Sequence, residues 1–230
     1  MKFAGFQKLT LLDYPGKTAC TAFTAGCNFR CPFCHNSELA FTAQNPEYAF
    51  SDDEIIDYLV GRKGKIDGIC ITGGEPLLNS GVEEFAARVH EAGFLVKLDT
   101  NGSIYDRLER FIKDGLCDYV AMDIKNTPEK YALSAGCFVD VENVKKSVEL
   151  LKRGLVDYEL RTTVVKELNA KEDFAAIGEW LCGAKKYYLQ KFKDSENVPE
   201  HNFTAYSDDE MKAIAAELRG IDVVGVRGVD

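Results

Sequence analysis

No apolar run in this 230-residue sequence approaches the roughly 20 residues that a membrane-spanning helix needs. The first eight residues, Met1-Lys2-Phe3-Ala4-Gly5-Phe6-Gln7-Lys8, lack the apolar core and cleavage site of an export signal. The expectation is a cytoplasmic protein with no membrane partner. Basic residues are outnumbered, with 28 Lys and Arg against 37 Asp and Glu and a net charge of −9. That balance argues against nucleic acid as a main partner, because a phosphate backbone is bound by positive surface. No stretch of linker composition interrupts the chain, so residues 1–230 are expected to form one domain. Cysteine, by contrast, is plentiful at eight residues. Without an export signal, that number points to metal chemistry or buried thiols rather than disulfides.

Strand-like and helix-like segments alternate along the chain. Apolar strands are expected over residues 18–24, 67–72, 94–99, 118–123, 158–165, 186–192 and 221–226. Helices are expected over 82–92, 105–113, 141–152 and 171–181. Two more should open at capping boxes, Ser51-Asp-Asp-Glu54 and Ser207-Asp-Asp-Glu210, in which the serine hydroxyl and the glutamate satisfy first-turn amides reciprocally. Near-continuous apolar strands separated by helices make a parallel sheet covered by helices. About six such units are too few for a closed eightfold barrel. The expected fold is therefore α/β, a partly open (β/α)6 barrel with helices outside, and a doubly wound open sheet is the alternative. The stretches 36–50 and 194–206 carry the least pattern and are expected as loops over a site.

Chemistry concentrates after the first strand, in Cys27-Asn-Phe-Arg-Cys31-Pro-Phe-Cys34. Three thiolates on a short loop can converge on a metal centre, yet a closed zinc site or iron–sulfur cluster takes four ligands. Either a fourth ligand comes from elsewhere or one metal position stays open for chemistry. His35 is too close in sequence to Cys34 to be a good fourth ligand, and His90 sits on a helix. Cys20, Cys70 and Cys117 lie in or beside apolar strands and read as buried hydrophobes. Cys137, Cys182 and His201 are isolated.

The other strand ends are polar too. Gly73-Gly-Glu-Pro76 follows the second strand, Asp99-Thr-Asn-Gly102 ends the third and Asp123-Ile-Lys125 ends the fourth, while Arg161 and Gln190 lie within the fifth and sixth. In a parallel α/β sheet all the C-terminal strand ends open on one face, so these features should meet at a common mouth. Paired glycines allow a close backbone approach to a ligand, and Glu75 could bind an ammonium group. Asp123 and Lys125 share parity on a strand and can both face inward. Arg161 in an apolar strand is costly unless it meets an anion. A zinc module with three cysteines and one histidine, without catalysis, remains the bland alternative.

Cys27-x3-Cys31-x2-Cys34 with Phe33 before the last cysteine resembles the signature of the radical S-adenosylmethionine (radical SAM) enzymes, and Gly73-Gly-Glu-Pro76 matches that superfamily's second motif. Asp13-Tyr-Pro-Gly16, Cys34-His-Asn36, Asp99-Thr-Asn-Gly102 and Met122-Asp-Ile-Lys125 are similar to glycyl-radical activating enzymes, nearest the activating proteins of anaerobic ribonucleoside-triphosphate reductase. The resemblance implies a 4Fe–4S cluster on Cys27, Cys31 and Cys34, with S-adenosylmethionine completing its coordination. It further implies that Gly73, Gly74 and Glu75 meet the methionine amine. Asp99, Asn101, Asp123, Lys125 and Arg161 then serve ribose, carboxylate or nearby groups, and Phe33 and His35 border the adenine. A monovalent cation on Asp99, Thr100, Asp123 and the Ala121 carbonyl is carried over from the pyruvate formate-lyase activase. The implied activity is cleavage of S-adenosylmethionine to a 5′-deoxyadenosyl radical that takes hydrogen from a partner's glycine, with an apolar barrel wall excluding other donors. The implied partners are anaerobic ribonucleotide reductase and a low-potential electron donor of flavodoxin or ferredoxin type. A pyruvate formate-lyase-type activase and a radical SAM enzyme with a small-molecule substrate are the alternatives.

Overall fold

The computed structural model describes residues 1–41 and 49–229. In chain order the strands and helices are β1 (Lys2–Phe3), β2 (Gly5–Thr10), β3 (Ala19–Thr24), α1 (Ser37–Phe41), β4 (Phe50–Ser51), α2 (Asp52–Val60), β5 (Gly68–Gly73), α3 (Val82–Glu91), β6 (Leu95–Thr100) and α4 (Tyr105–Lys113). They continue as β7 (Tyr119–Asp123), α5 (Tyr131–Ala135), α6 (Val141–Lys152), β8 (Asp157–Val164), α7 (Asp173–Trp180), β9 (Lys186–Lys191), α8 (Asp208–Glu217) and β10 (Val223–Arg227). Both expected capping boxes form, with Ser51 accepting from the Glu54 amide and Ser207 from the Glu210 amide. α3 stops before Gly93, which takes φ +89°, a conformation that glycine adopts without steric penalty.

One eight-stranded sheet runs β2-β3-β5-β6-β7-β8-β9-β10. β2 pairs antiparallel with β3, and every other pair is parallel. The parallel strands lie in strict chain order, so each crossover steps the same way. Right-handed crossovers that all step the same way put their helices on one face of the sheet. A doubly wound sheet reverses its order part-way and covers both faces; here the order never reverses. The result is the expected partial barrel, helices outside and a hollow inside.

The strand residues sort by parity between those two faces. Ile69, Ile71, Val96, Leu98, Val120, Met122, Leu160 and Leu189 point outward into one apolar core shared with Phe85, Val89, Phe111, Val148 and Ile177 of the helices. The inward parity carries Lys97, Asp99, Asp123, Glu159 and Arg161. The barrel interior is thus charged rather than apolar, which corrects the expected apolar wall. Hydrophobic burial builds the helix side, and the inner surface is left for polar work. Among the described residues no helix is long and apolar enough to cross a membrane.

Two segments outside the sheet flank the cysteine loop. Residues 131–135 form α5, and residues 193–200 lie against the cysteine loop. Of the unpatterned stretch 36–50, residues 42–48 lie outside the described residues.

Candidate active site

The cysteine loop leaves β3 through Gly26, at φ +82°. Its backbone is clasped on two sides. The Arg30 amide donates to the Ala135 carbonyl at 2.8 Å, and Gly136 packs so closely that a Cβ there would lie 2.0 Å from the Arg30 oxygen. On the other side the Glu200 amide donates to the Pro32 carbonyl at 3.2 Å, and His35 Nε2 bonds the Lys193 carbonyl at 2.7 Å. The His35 ring is therefore anchored to that flank, although it still borders the cavity. The sulfur of Cys27 accepts from the Phe29 amide at 3.3 Å and from Asn101 Nδ2 at 3.9 Å. Hydrogen bonds to sulfur favour thiolate and tune a cluster's potential.

The second wall is fixed by backbone contact. Gly73 has φ +113°, and a Cβ on it would meet the Thr24 oxygen at 2.4 Å; on Gly74 it would meet the Gly26 oxygen at 2.0 Å. Only glycine allows β5 to end so close to the start of the cysteine loop. The approach is locked by the Gly74 amide on the Thr24 carbonyl (2.9 Å) and the Glu75 amide on the Gly26 carbonyl (2.8 Å). Asn36 Nδ2 reaches the Gly73 carbonyl at 3.2 Å.

Glu75 does not line the cavity. Its side chain is 1% exposed, and its oxygens accept from the Leu77 amide (3.1 Å), the Thr100 hydroxyl (2.9 Å) and the Asn101 amide (2.7 Å). Here it ties the end of β5 to the end of β6 and holds Thr100 and Asn101 in place. Burial pushes its carboxyl up to about 7, against the pull of those donors.

The third wall is a chain of charges along β6, β7 and β8. Lys97 pairs with Asp99, Arg161 Nη1 reaches Asp99 Oδ2 at 3.2 Å, Arg161 Nε reaches Asp123 Oδ1 at 3.0 Å, and Lys125 Nζ reaches Asp123 Oδ2 at 3.0 Å. Three cations and two anions leave the chain of charges positive by one. Burial disfavours charge on Asp123, but Arg161 and Lys125 outweigh it and hold the carboxyl at about 2. Asp99 is likewise lowered, with Arg161 and Lys97 overcoming burial. The guanidinium of Arg161 bridges the two carboxylates that were expected to hold a monovalent cation. Lys97 was not anticipated; a lysine two residues before Asp99 in an apolar strand was its signal. Deeper in the barrel, Arg227 makes two 2.7 Å bonds to the Glu159 carboxylate, and Tyr119 donates to it at 3.0 Å.

These walls enclose a cavity of about 250 Å³. Cys27, Cys31, Cys34, Phe33 and His35 line it together with Gly73, Gly74, Asp99, Asn101, Asp123, Lys125 and Arg161. Of the residues expected on the cluster and S-adenosylmethionine Glu75 alone stands behind the wall, and Ala121, expected at the cation, does not line the cavity. Phe29, Asn36, Thr72 and Thr163 join the lining. No fourth cysteine borders it. Among the described residues, no three His, Cys, Asp or Glu side chains cluster tightly enough to hold a single metal ion. Three thiols on one cavity wall form a donor set that suits an iron–sulfur cluster. Burial pushes Cys27 up to about 11 and Cys31 to about 12 and raises Cys34, while Lys125 opposes the shift at all three. Ligation must therefore displace protons.

Residues 21–181 match the family model described as the radical SAM superfamily. The chain belongs to the radical SAM superfamily. It is an enzyme, and its cofactors are a 4Fe–4S cluster and S-adenosylmethionine. A protein of Methanocaldococcus jannaschii, provisionally named a glycyl-radical enzyme activating enzyme, is 34% identical over 99% of this radical SAM chain and 92% of its own length. A Helicobacter pylori GTP 3′,8-cyclase is 30% identical over 73% of this chain, but the match spans only 51% of the cyclase. Among solved structures, Streptococcus suis SuiB bound to S-adenosylmethionine superimposes with a TM-score of 0.68 at 12% identity, over 88% of this chain and 48% of SuiB. That likeness concerns the fold alone.

Proposed function

We propose that this enzyme is an activase that reductively cleaves S-adenosylmethionine and installs a glycyl radical on a partner enzyme, anaerobic ribonucleoside-triphosphate reductase. The observation that carries the reading is the shared cavity, where the three thiols face the paired glycines and the Asp123–Lys125–Arg161 chain of charges. In this reading Cys27, Cys31 and Cys34 would hold the cluster, with S-adenosylmethionine bound beside it in the same cavity. Bound together, the two cofactors supply one-electron cleavage of the sulfonium and a radical able to take a hydrogen atom from a glycine Cα.

The chain's own residues bind, orient and exclude water. The close-packed backbone at Gly73 and Gly74 presents carbonyl oxygens to the methionine ammonium. Lys125 and Arg161 offer the positive charge that a carboxylate needs, and Asp123, kept ionised, can accept from ribose hydroxyls. Phe33 and His35 border the adenine. Glu75 keeps Thr100 and Asn101 in register from behind.

A protein glycine is favoured over a small molecule because the match to the activase relative spans both chains almost entirely, whereas the cyclase match stops at half. The electron would come from a cytoplasmic flavodoxin or ferredoxin. The test is anaerobic reconstitution with iron and sulfide, reduction, and mixing with candidate glycyl-radical enzymes. A glycine-centred signal by electron paramagnetic resonance in the ribonucleotide reductase is expected. Signal in pyruvate formate-lyase instead would reassign the partner. Cleavage of S-adenosylmethionine with no glycine signal in any candidate would reject the activase reading.

A further inference from the structure

Among the described residues the three cysteine sulfurs are served unequally. The Cys34 sulfur accepts from the Asn36 backbone amide, and no donor reaches the Cys31 sulfur. The Cys27 sulfur accepts from the Phe29 amide at 3.3 Å and lies 3.9 Å from Asn101 Nδ2. It alone of the three meets a side-chain donor. A substitution can therefore remove that donor and leave the loop backbone untouched.

A closed ring of hydrogen bonds fixes which way the Asn101 amide points. Asn101 Nδ2 donates to Asn28 Oδ1 at 2.9 Å, and Asn28 Nδ2 donates to the Ser103 hydroxyl at 2.8 Å. That hydroxyl donates back to Asn101 Oδ1 at 2.6 Å. The Ser103 backbone amide also donates to Asn101 Oδ1, at 3.0 Å. Because a backbone amide can only donate, this contact settles that the oxygen faces Ser103 and the nitrogen faces the cysteine loop. A primary amide carries two N–H bonds. One is spent on Asn28, and Cys27 Sγ is the other acceptor within reach. The Asn101 backbone is held as well, its amide donating to Glu75 at 2.7 Å. At 6% exposure, Asn101 meets little water that could compete for the second N–H.

We propose that Asn101 raises the reduction potential of the cluster by donating its second N–H to the Cys27 sulfur. Reduction adds one negative charge to the cluster and its thiolates, and a donor to sulfur stabilises the more negative state more. The assignment rests on the cluster alone and stands whichever molecule the radical serves. The test is an anaerobic redox titration of the reconstituted protein without S-adenosylmethionine, the reduced cluster being followed by electron paramagnetic resonance. Asn101→Leu keeps the size and removes the donor. The ratio of reduced to oxidised cluster at a fixed potential should fall about fivefold, roughly 40 mV at 59 mV per tenfold for one electron. Ser103→Ala opens the ring and should give a smaller shift in the same direction. Asn36→Leu makes the same exchange on the same cavity. The Asn36 side chain bonds the Gly73 carbonyl and no sulfur, so the ratio there should stay at the wild-type value. An unmoved or raised potential in Asn101→Leu would overturn the proposal. So would an equal fall in Asn36→Leu, since any loss of polarity in the cavity would then suffice. If Asn101→Leu takes up no iron, Ser103→Ala decides alone, and an unmoved potential there overturns the proposal.

Discussion

Two walls of the same cavity are held in place by opposite means. Where β5 meets the cysteine loop, backbone lies on backbone, and the glycines leave no room for one added carbon. Where β6, β7 and β8 face inward, position is set by paired charges at the ends of long side chains. The first arrangement is rigid and tolerates no substitution. The second can be retuned as long as each carboxylate keeps a cation. A metal-ligating loop gains from the first, and a surface that must take up and release a charged cosubstrate gains from the second.

That contrast can be broken in graded steps. The largest effect is expected at the loop itself: Cys31→Ala should lower S-adenosylmethionine cleavage by about a thousandfold or more, since a cluster ligand is lost, with loss of the visible iron–sulfur absorption as the check. Next comes Arg161→Met, which removes the charged hydrogen bonds to Asp99 and Asp123 but leaves Lys97 and Lys125 paired with them, and should cost about 3 kcal/mol by urea denaturation. Arg161→Lys, keeping the charge, should recover much of that loss. Gly74→Ala sharpens the other side of the comparison. Its Cβ would sit 2.0 Å from a backbone oxygen that cannot swing away, so about 3 kcal/mol and a fall in bound iron are expected, although no charge or hydrogen-bonding group is removed.

The smallest effect is a pH slope from Glu75, which lies between the two walls. Its carboxyl rises from 4.5 to about 7 on burial, so the folded state keeps a proton that the unfolded chain has lost. That contribution is complete below pH 4.5 and fades as pH climbs through 7, about 2 kcal/mol between pH 5 and 7. Glu75→Gln, neutral throughout, should flatten that part of the curve when urea midpoints are compared across the range.

Much of this could be read from the residues, and the misses are instructive. α4 and α6 fall on their expected bounds because apolar spacing and the glycine after α4 both mark them. The seven parallel strands were visible as apolar runs, whereas β2 was not: half of its residues are exposed and only Thr10 is buried, so it shows no buried apolar face to detect. The polar strand ends do converge, as parallel topology requires. Glu75 was expected on the ligand because its motif places it at the mouth. In the folded protein its oxygens are given over to Leu77, Thr100 and Asn101. Lys97, Glu159 and Arg227 went unread for a related reason. A lone charge in a strand gives no hint of its partner until neighbouring strands are in register.

The grip on the cysteine loop also has a timetable. Arg30 leans on Ala135, while Pro32 and His35 lean on residues 193–200, so the pocket for iron is finished by contacts from late in the chain. During synthesis the thiols emerge early and stay exposed until those later segments arrive. Delivery of iron and sulfide must then wait until residue 200 has been made, and oxygen or stray metal met in the interval would find three unguarded sulfurs.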